Sequence, residues 1–283
     1  MDLNTVADFV PATDVTWREG DAWLAGGSYL FSQPQRHLSR LLDLQAFGWT
    51  PVEEDPDGVL IAATCTFAQL AGWQPADTRY AQAAVLARQC CHALLGSFKV
   101  HNVATVGGNI CLSLPAGPMT SFASALDGVA LLRGRDGRRR GIPVEDLVTG
   151  DGRNRLRPGE LLTHVRLPAH ALTARAAFRQ LSLSPVGRSA VLVIGRRATT
   201  ASAAAAIEAG GYGTTDGSTV LTVTASTPRP VKLRFPAPPG TAEVQARLTS
   251  AEPQWLDDVH GGARWRAAMT RRLIAEVLED LAG

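Results

Sequence analysis

Two glycine pairs set the tightest limit on this chain. Gly26–Gly27 in WLAGGSYLFSQPQ and Gly107–Gly108 in VHNVATVGGNICLSLPAG each follow a short apolar run, and each leads into hydroxyl or amide side chains, Ser28 and Asn109. Glycine has no Cβ and accepts φ of either sign, so backbone can approach a ligand closely and successive N–H groups can converge on anionic oxygen. Ser28, Thr105 and Asn109 add neutral donors. Such a site suits a diphosphate without needing a basic surface. The competing reading is two turns that end strands. Gly-Gly also occurs at residues 210 and 261, so context decides the weight of a pair. The pair at 210 sits in a loose Ala/Thr/Gly segment, and the pair at 261 reads as a turn before the last helix.

The usual nucleotide folds are excluded by their missing signatures. No G-x-G-x-x-G follows a strand; GYGTTDG, from Gly211, lacks the third glycine in register. No G-x-x-x-x-G-K-[ST] loop and no G-x-S-x-G elbow occur. Glu53/Glu54 and Asp257/Asp258 sit in polar, loop-like surroundings. With no acid–base constellation, a bound cofactor is the expected carrier of any reaction.

The chain has 283 residues, 45% of them hydrophobic, enough for two domains. A net charge of +2 argues against nucleic acid or an acidic membrane surface as partner. No run of about 18 apolar residues suggests a membrane span, and no basic-then-apolar leader suggests a signal peptide. The opening MDLNTVADFVPATD is expected to begin a mature cytosolic chain, so the expected location is cytoplasmic. Cys65, Cys90, Cys91 and Cys111 lack C-x-x-C spacing and read as buried free thiols in a reducing compartment. The six histidines are scattered without metal-binding pairs. Neither an iron–sulfur cluster nor zinc is expected on this chain.

Along the chain, FVPAT reads as an opening strand, and DVTWREGDAWLAGG as a polar turn and a buried strand. VLIAAT reads as a strand running into a helix capped by Thr64 or Thr66. TRYAQAAVLARQCCHALLGSFKV reads as an amphipathic helix with Val85, Leu86, Cys90, Leu94 and Leu95 on one face, ending near Gly96. MTSFASALDG is a helix, VALLRG a strand, and GRDGRRRG a hairpin turn whose arginine run is a solvated turn rather than a binding patch. GELLTHVRLP is a strand. After about residue 170, antiparallel strands are expected in ARAAFRQLSLSPVGRSAVLVIGRR and STVLTVTASTPRPVKLRF. The segment 196–218 is either a mobile hairpin tip or a small added element. The last stretch is a helix with Met269, Leu273, Ile274, Val277, Leu278 and Leu281 in one apolar stripe.

Taken together, LAGGSYLFSQPQ and VHNVATVGGNICLSLPAG resemble the two FAD-binding loops of the medium (flavin) subunits of molybdenum hydroxylases, the xanthine dehydrogenase, carbon monoxide dehydrogenase and aldehyde oxidase type. ALDGVALL, GELLTHVRLP, FRQLSLSPVGRSA and TVTASTPRPVKL fall in the order that family shows. The resemblance implies an α+β chain: a vanillyl-alcohol-oxidase-like (PCMH-type) FAD-binding domain over residues 1–170, in two α/β subdomains of roughly 1–60 and 61–170. A carbon monoxide dehydrogenase flavoprotein-like domain over 171–283 would follow, with a three-stranded antiparallel sheet and a helical bundle.

By position, Ala25, Gly26, Gly27, Ser28, Tyr29 and Leu30 would form the first loop. Thr105, Val106, Gly107, Gly108 and Asn109 would form the second. Leu162 would lie near the flavin or adenine, and Gln180 falls where many relatives carry a lysine that reaches toward the ring. No catalytic side chain and no metal ligand is implied. His101, Leu114 and Pro118 depart from the family's usual arginine, serine and aspartate, each removing a hydrogen bond worth about 0.5–1.5 kcal/mol. The implied function is that of a non-covalent FAD-binding, electron-transfer subunit in a heterotrimer or its dimer. Its partners would be a small [2Fe–2S] subunit, a large molybdopterin subunit, and an external acceptor, either NAD, a quinone or oxygen. The alternatives are a stand-alone FAD oxidoreductase of the same fold and an assembly subunit that has lost FAD.

Overall fold

The protein is described by a computed structural model covering residues 5–13, 15–208 and 214–283. Its first strands are β1 (Asp8–Pro11), β2 (Asp21–Leu24) and β3 (Arg40–Asp43), which pair in parallel in the order β1-β3-β2. The central strand alternates its burial between faces, as a pleated ribbon must. Leu41 packs with Leu24 and Leu38 on one side, and Leu42 with Ala12, Leu44 and Leu161 on the other. The β2–β3 register sets Asp21 opposite Arg40. Arg40 closes a two-point pair on the buried Asp21 carboxylate, Nε–Oδ1 2.8 Å and Nη2–Oδ2 2.6 Å, a fork geometry that guanidinium favours. The Arg40 hydrogen bond holds the Asp21 carboxyl below the usual carboxylate range.

The middle of the chain lays down β4 (Val52–Asp55), β5 (Gly58–Ala62), and helices α1 (Phe67–Ala71), α2 (Ala81–His92), α3 (Phe98–His101), α4 (Val106–Leu112) and α5 (Pro118–Ala125). It continues with β6 (Val129–Arg133), β7 (Arg139–Pro143), α6 (Val144–Leu147), the short ribbon β8 (Val148–Gly150) and β9 (Arg153–Asn154), and β10 (Leu161–Pro168). These strands form a five-stranded antiparallel sheet, β4-β5-β10-β6-β7. Residues 52–60 therefore belong to this second sheet, and a subdomain boundary at 60 would cut β5. The cap before α1 is Thr66, not Thr64. Its hydroxyl accepts from the Gln69 N–H at 3.1 Å and the Gln69 amide accepts from the Thr66 N–H at 2.8 Å. Thr66→Ala is expected to cost about 1 kcal/mol by urea denaturation.

The expected face of α2 is only partly right. Leu86 and Cys90 are buried with Ala83, Ala87 and Cys91, but Val85 and Leu95 are exposed, and the helix stops at His92, ahead of Gly96. At 100° per residue, positions 83, 86, 87 and 90 share one face and 85 turns away from it.

The remainder forms α7 (Ala169–Leu172), β11 (Arg175–Leu181), β12 (Val191–Arg197), α8 (Thr200–Glu208), β13 (Thr219–Thr224), β14 (Val231–Phe235), α9 (Thr241–Ser250) and α10 (Ala263–Ala282). The antiparallel sheet has four strands, β11-β12-β13-β14, where three were expected. The two segments expected to hold antiparallel strands each carry two, β11 and β12 in the first and β13 and β14 in the second, and β11 adds to β12 as an edge. One face buries Val191, Val193, Leu221 and Val223 against α10, through Leu273, Ile274, Val277 and Leu281 of the expected stripe; Met269 and Leu278 are its partly buried margin. Gly195 on β12 permits that approach, since a Cβ there would stand 2.3 Å from the Val277 side chain. The other face, with Leu192 and Ile194, joins the core that runs beneath α2, α4 and α5. Of the loose segment, α8 is an added element folded against α7; the Gly210–Gly211 pair lies outside the described residues.

Candidate functional site: the cleft between the glycine loops

β2 ends at Leu24, and the chain then turns through Gly26 and Gly27 into a 3-10 turn at Leu30–Ser32. Gly27 has φ +68°, the left-handed region, and the Phe31 N–H closes on its carbonyl at 2.8 Å. Gly26 lies flat against the other loop, where a Cβ would fall 1.5 Å from the Val103 carbonyl oxygen. The two glycine loops, far apart in sequence, therefore meet at backbone level. Between them is a cavity of about 390 Å³.

The loops do not contribute alike. The N–H groups of Gly26, Gly27, Ser28 and Tyr29 have no acceptor among the described residues. Those of the second loop are engaged: Val106 donates to Cys65 O (2.9 Å), Gly107 to Ala63 O (3.0 Å), Gly108 to the Thr105 hydroxyl (3.1 Å) and Asn109 to Thr105 O (3.0 Å). Val106 and Gly107 are buried, and a Cβ on Gly107 would meet Ala63 at 2.5 Å. The second loop is thus stapled to the end of β5 and forms a floor. Only Gly108 faces the cavity with space beyond it, its one near neighbour being the Thr105 hydroxyl at 3.0 Å from a built Cβ. Asn109 lines the cavity and also accepts from the Met119 N–H at 3.0 Å, tying α4 to the start of α5.

No charged side chain among the described residues lines this cleft. Its walls also hold Trp23, whose buried indole N–H has no partner, and Leu94, Val100 and Cys111. None of these was read from the sequence as a cleft residue; Trp23 alone carried a signal for it, as the aromatic donor next to the first loop. Burial pushes the Cys111 thiol up to about 12, away from the range of reactive thiolates. Two expected residues lie elsewhere. Leu162 is buried on β10 beside an irregularity in its pairing with β6, and Gln180 is half-buried on β11 opposite Leu192; neither lines the cavity.

The three departures have structural occupations. His101 Nε2 sits 3.2 Å from the Leu94 carbonyl, bracing α3 on the end of α2. Leu114 lines the cleft. Pro118 opens α5, where its missing N–H costs nothing.

Four unpaired backbone donors in a row, beside a glycine with open space, are groups that a diphosphate could accept from. Residues 6–170 match the family described as FAD binding domain in molybdopterin dehydrogenase. The chain belongs to this family. Its cofactor is FAD, and the cleft fits that group at the diphosphate, the part that neutral main-chain donors can hold.

The folds of several oxidoreductase chains agree with membership of the FAD-binding family. The structure is similar to reconstituted CO dehydrogenase from Oligotropha carboxidovorans, with TM-score 0.79 and 20% identity over 98% of this chain and 97% of that chain. It is similar to carbon monoxide dehydrogenase from Hydrogenophaga pseudoflava, with TM-score 0.76 and 18% identity over 98% and 97%. Quinoline 2-oxidoreductase from Pseudomonas putida 86 matches with TM-score 0.71 and 16% identity over 98% of each chain. No curated protein matches by sequence. The expected mixed α/β architecture, with a PCMH-type FAD-binding fold, is the one observed. No helix among the described residues is long and apolar enough to cross a membrane.

Proposed function

We propose that this chain is the electron-transfer flavoprotein subunit of a three-component molybdenum hydroxylase, acting in the cytoplasm within a heterotrimer or its dimer. Electrons would arrive from [2Fe–2S] clusters on a small partner, having left substrate at a molybdopterin centre on a large one. They would leave to NAD, a quinone or oxygen. FAD supplies the two-electron chemistry. The residues of this chain bind it and exclude water: Ala25 to Leu30 as donors, Thr105 to Asn109 as floor, with Leu162 and Gln180 assigned to its outer parts. The division at residue 170 separates this FAD-binding unit from a C-terminal unit.

The observation that carries the reading is the run of unpaired N–H groups from Gly26 to Tyr29 in an uncharged cleft. Clusters are assigned to the partner because Cys65, Cys90, Cys91 and Cys111 lack C-x-x-C spacing. The test is the visible spectrum and metal content of protein purified from its host. The expected result is flavin bands near one FAD per chain, with iron and molybdenum co-purifying. A flavin-loaded chain isolated alone and metal-free would favour the stand-alone oxidoreductase. A complex with no flavin would favour the assembly subunit.

A further inference from the structure

A second cavity, of about 690 Å³, opens where the four-stranded sheet meets the turn after α5. No residue lines both it and the cleft between the glycine loops. Arg196 of β12, Lys232 and Arg234 of β14 and His170 of α7 converge here on Asp127, which follows α5, and on Glu145 of α6. Asp127 pairs with Arg196 and Lys232, with Arg234 at 3.2 Å and with His170 Nε2 at 3.2 Å. Glu145 pairs with Lys232 at 2.9 Å and with Arg234 at 2.8 Å.

The charges do not balance. Three cations face two carboxylates, and no other acid among the described residues lines the cavity. Arg196 and Lys232, only 8% and 6% exposed, are matched by Asp127 and Glu145, so the surplus falls on Arg234, 53% exposed. An anion seated beside Arg234 would neutralise that surplus. Arg234, half-exposed at the mouth, has fork donors left over. An independent feature points the same way: Ser124 is among the lining residues, is 1% exposed, and its buried hydroxyl has no hydrogen-bond partner among the described residues. The lining also carries the hydroxyl residues Ser218, at the end of the segment 196–218, and Thr219. The volume lies in the range of small-molecule sites, about 300–1,000 Å³.

We propose that this seam cavity binds a small oxyanion, a carboxylate or phosphate compound, held by Arg234 and Arg196 and by the Ser124 hydroxyl. The site is separate from the flavin site and is built by both halves of the chain. Its test is isothermal titration of the FAD-loaded full chain with inorganic phosphate and, separately, succinate, at constant ionic strength against chloride. One-site saturable binding of at least one probe is expected, and which probe binds distinguishes phosphate from carboxylate chemistry. Ser124→Ala and Arg234→Gln should each weaken binding at least tenfold while FAD content stays unchanged. Ser124→Ala removes an unpartnered group and Arg234 is exposed, so neither threatens folding. Heat no greater than with chloride, or equal affinity in both variants, would overturn the site and leave the ionic cluster as a clasp between the two halves.

Discussion

Gly108→Ala is expected to strip FAD from a protein that still folds. Gly108 is the third residue of α4, with ordinary helical φ, and a Cβ there meets only the Thr105 hydroxyl at 3.0 Å before entering the cleft. Alanine gains about 1 kcal/mol of helix propensity over glycine, which offsets a small shift of the Thr105 cap. The methyl group takes up space that the cradle leaves for the diphosphate. FAD affinity should fall at least about tenfold, equivalent to about 1.4 kcal/mol, with the urea midpoint of the apoprotein nearly unchanged. Flavin stoichiometry after gel filtration and apoprotein denaturation check both halves. Gly240→Ala, with open space around it, is the control.

The other glycines would give a less clear answer. Sequence alone suggests Gly27→Val, with Gly211 as its control. Gly27 has positive φ and a Cβ there would strike the Phe31 ring at 2.5 Å, so valine would mix backbone strain with ligand loss. Gly211 lies outside the described residues. Retention of full FAD occupancy in Gly108→Ala would show that the diphosphate does not lie against α4.

Asp127→Asn carries the largest expected stability change. One carboxylate there receives Arg196, Lys232, Arg234 and His170. Burial alone would raise its pKa, but Arg196, the His170 hydrogen bond and Lys232 outweigh burial and hold the carboxyl far below the usual range. Removing the charge leaves two nearly buried cations facing each other with Glu145 alone. The cost should be about 3 kcal/mol, at the lower end for a broken buried pair because Asp127 is a fifth exposed. The sign with pH follows from the depressed pKa. The stabilisation is fully present above the unfolded carboxylate pKa, about 3.9, and is lost as pH falls from there toward the folded value. Wild type and variant should therefore differ most above about pH 5 and converge in acid. A gap that does not change between pH 7 and pH 3 in urea titrations would show that the charge of Asp127 is not what stabilises the seam.

Much of the site was legible in the sequence because glycines report backbone geometry directly. Both loops, the strand before the first and the strand–helix join at Thr66 follow from local pattern. What was not legible is the division of labour. Whether an N–H is free or engaged depends on where the carbonyls of Ala63 and Cys65 lie, and those are placed by β5 in the second sheet. The same holds for the fold. The apolar stripe of α10 is visible in its spacing, but Val85 and Leu95 look equally apolar and only packing shows them facing outward. The fourth strand, β11, is a pairing fact: ARAAFRQL reads as a strand either way, and its partner is chosen by register with β12. The seam was invisible because Asp127, Glu145, His170, Arg196 and Lys232 span more than a hundred residues, and each by itself is an ordinary polar residue.

The cleft without a charged side chain has a consequence for how this sequence can change. A binding surface made of main chain is indifferent to most replacements of the side chains it carries. Substitution at Ser28 or Tyr29 leaves their N–H groups in place, whereas a site built on arginine or lysine would be lost with one codon. The heritable requirement shrinks to a few positions that must stay small, namely Gly26 against Val103, Gly107 against Ala63 and Gly108 facing the cleft. Around them the chain is free to drift, which accommodates a fold held in common with structural neighbours at only 16–20% identity.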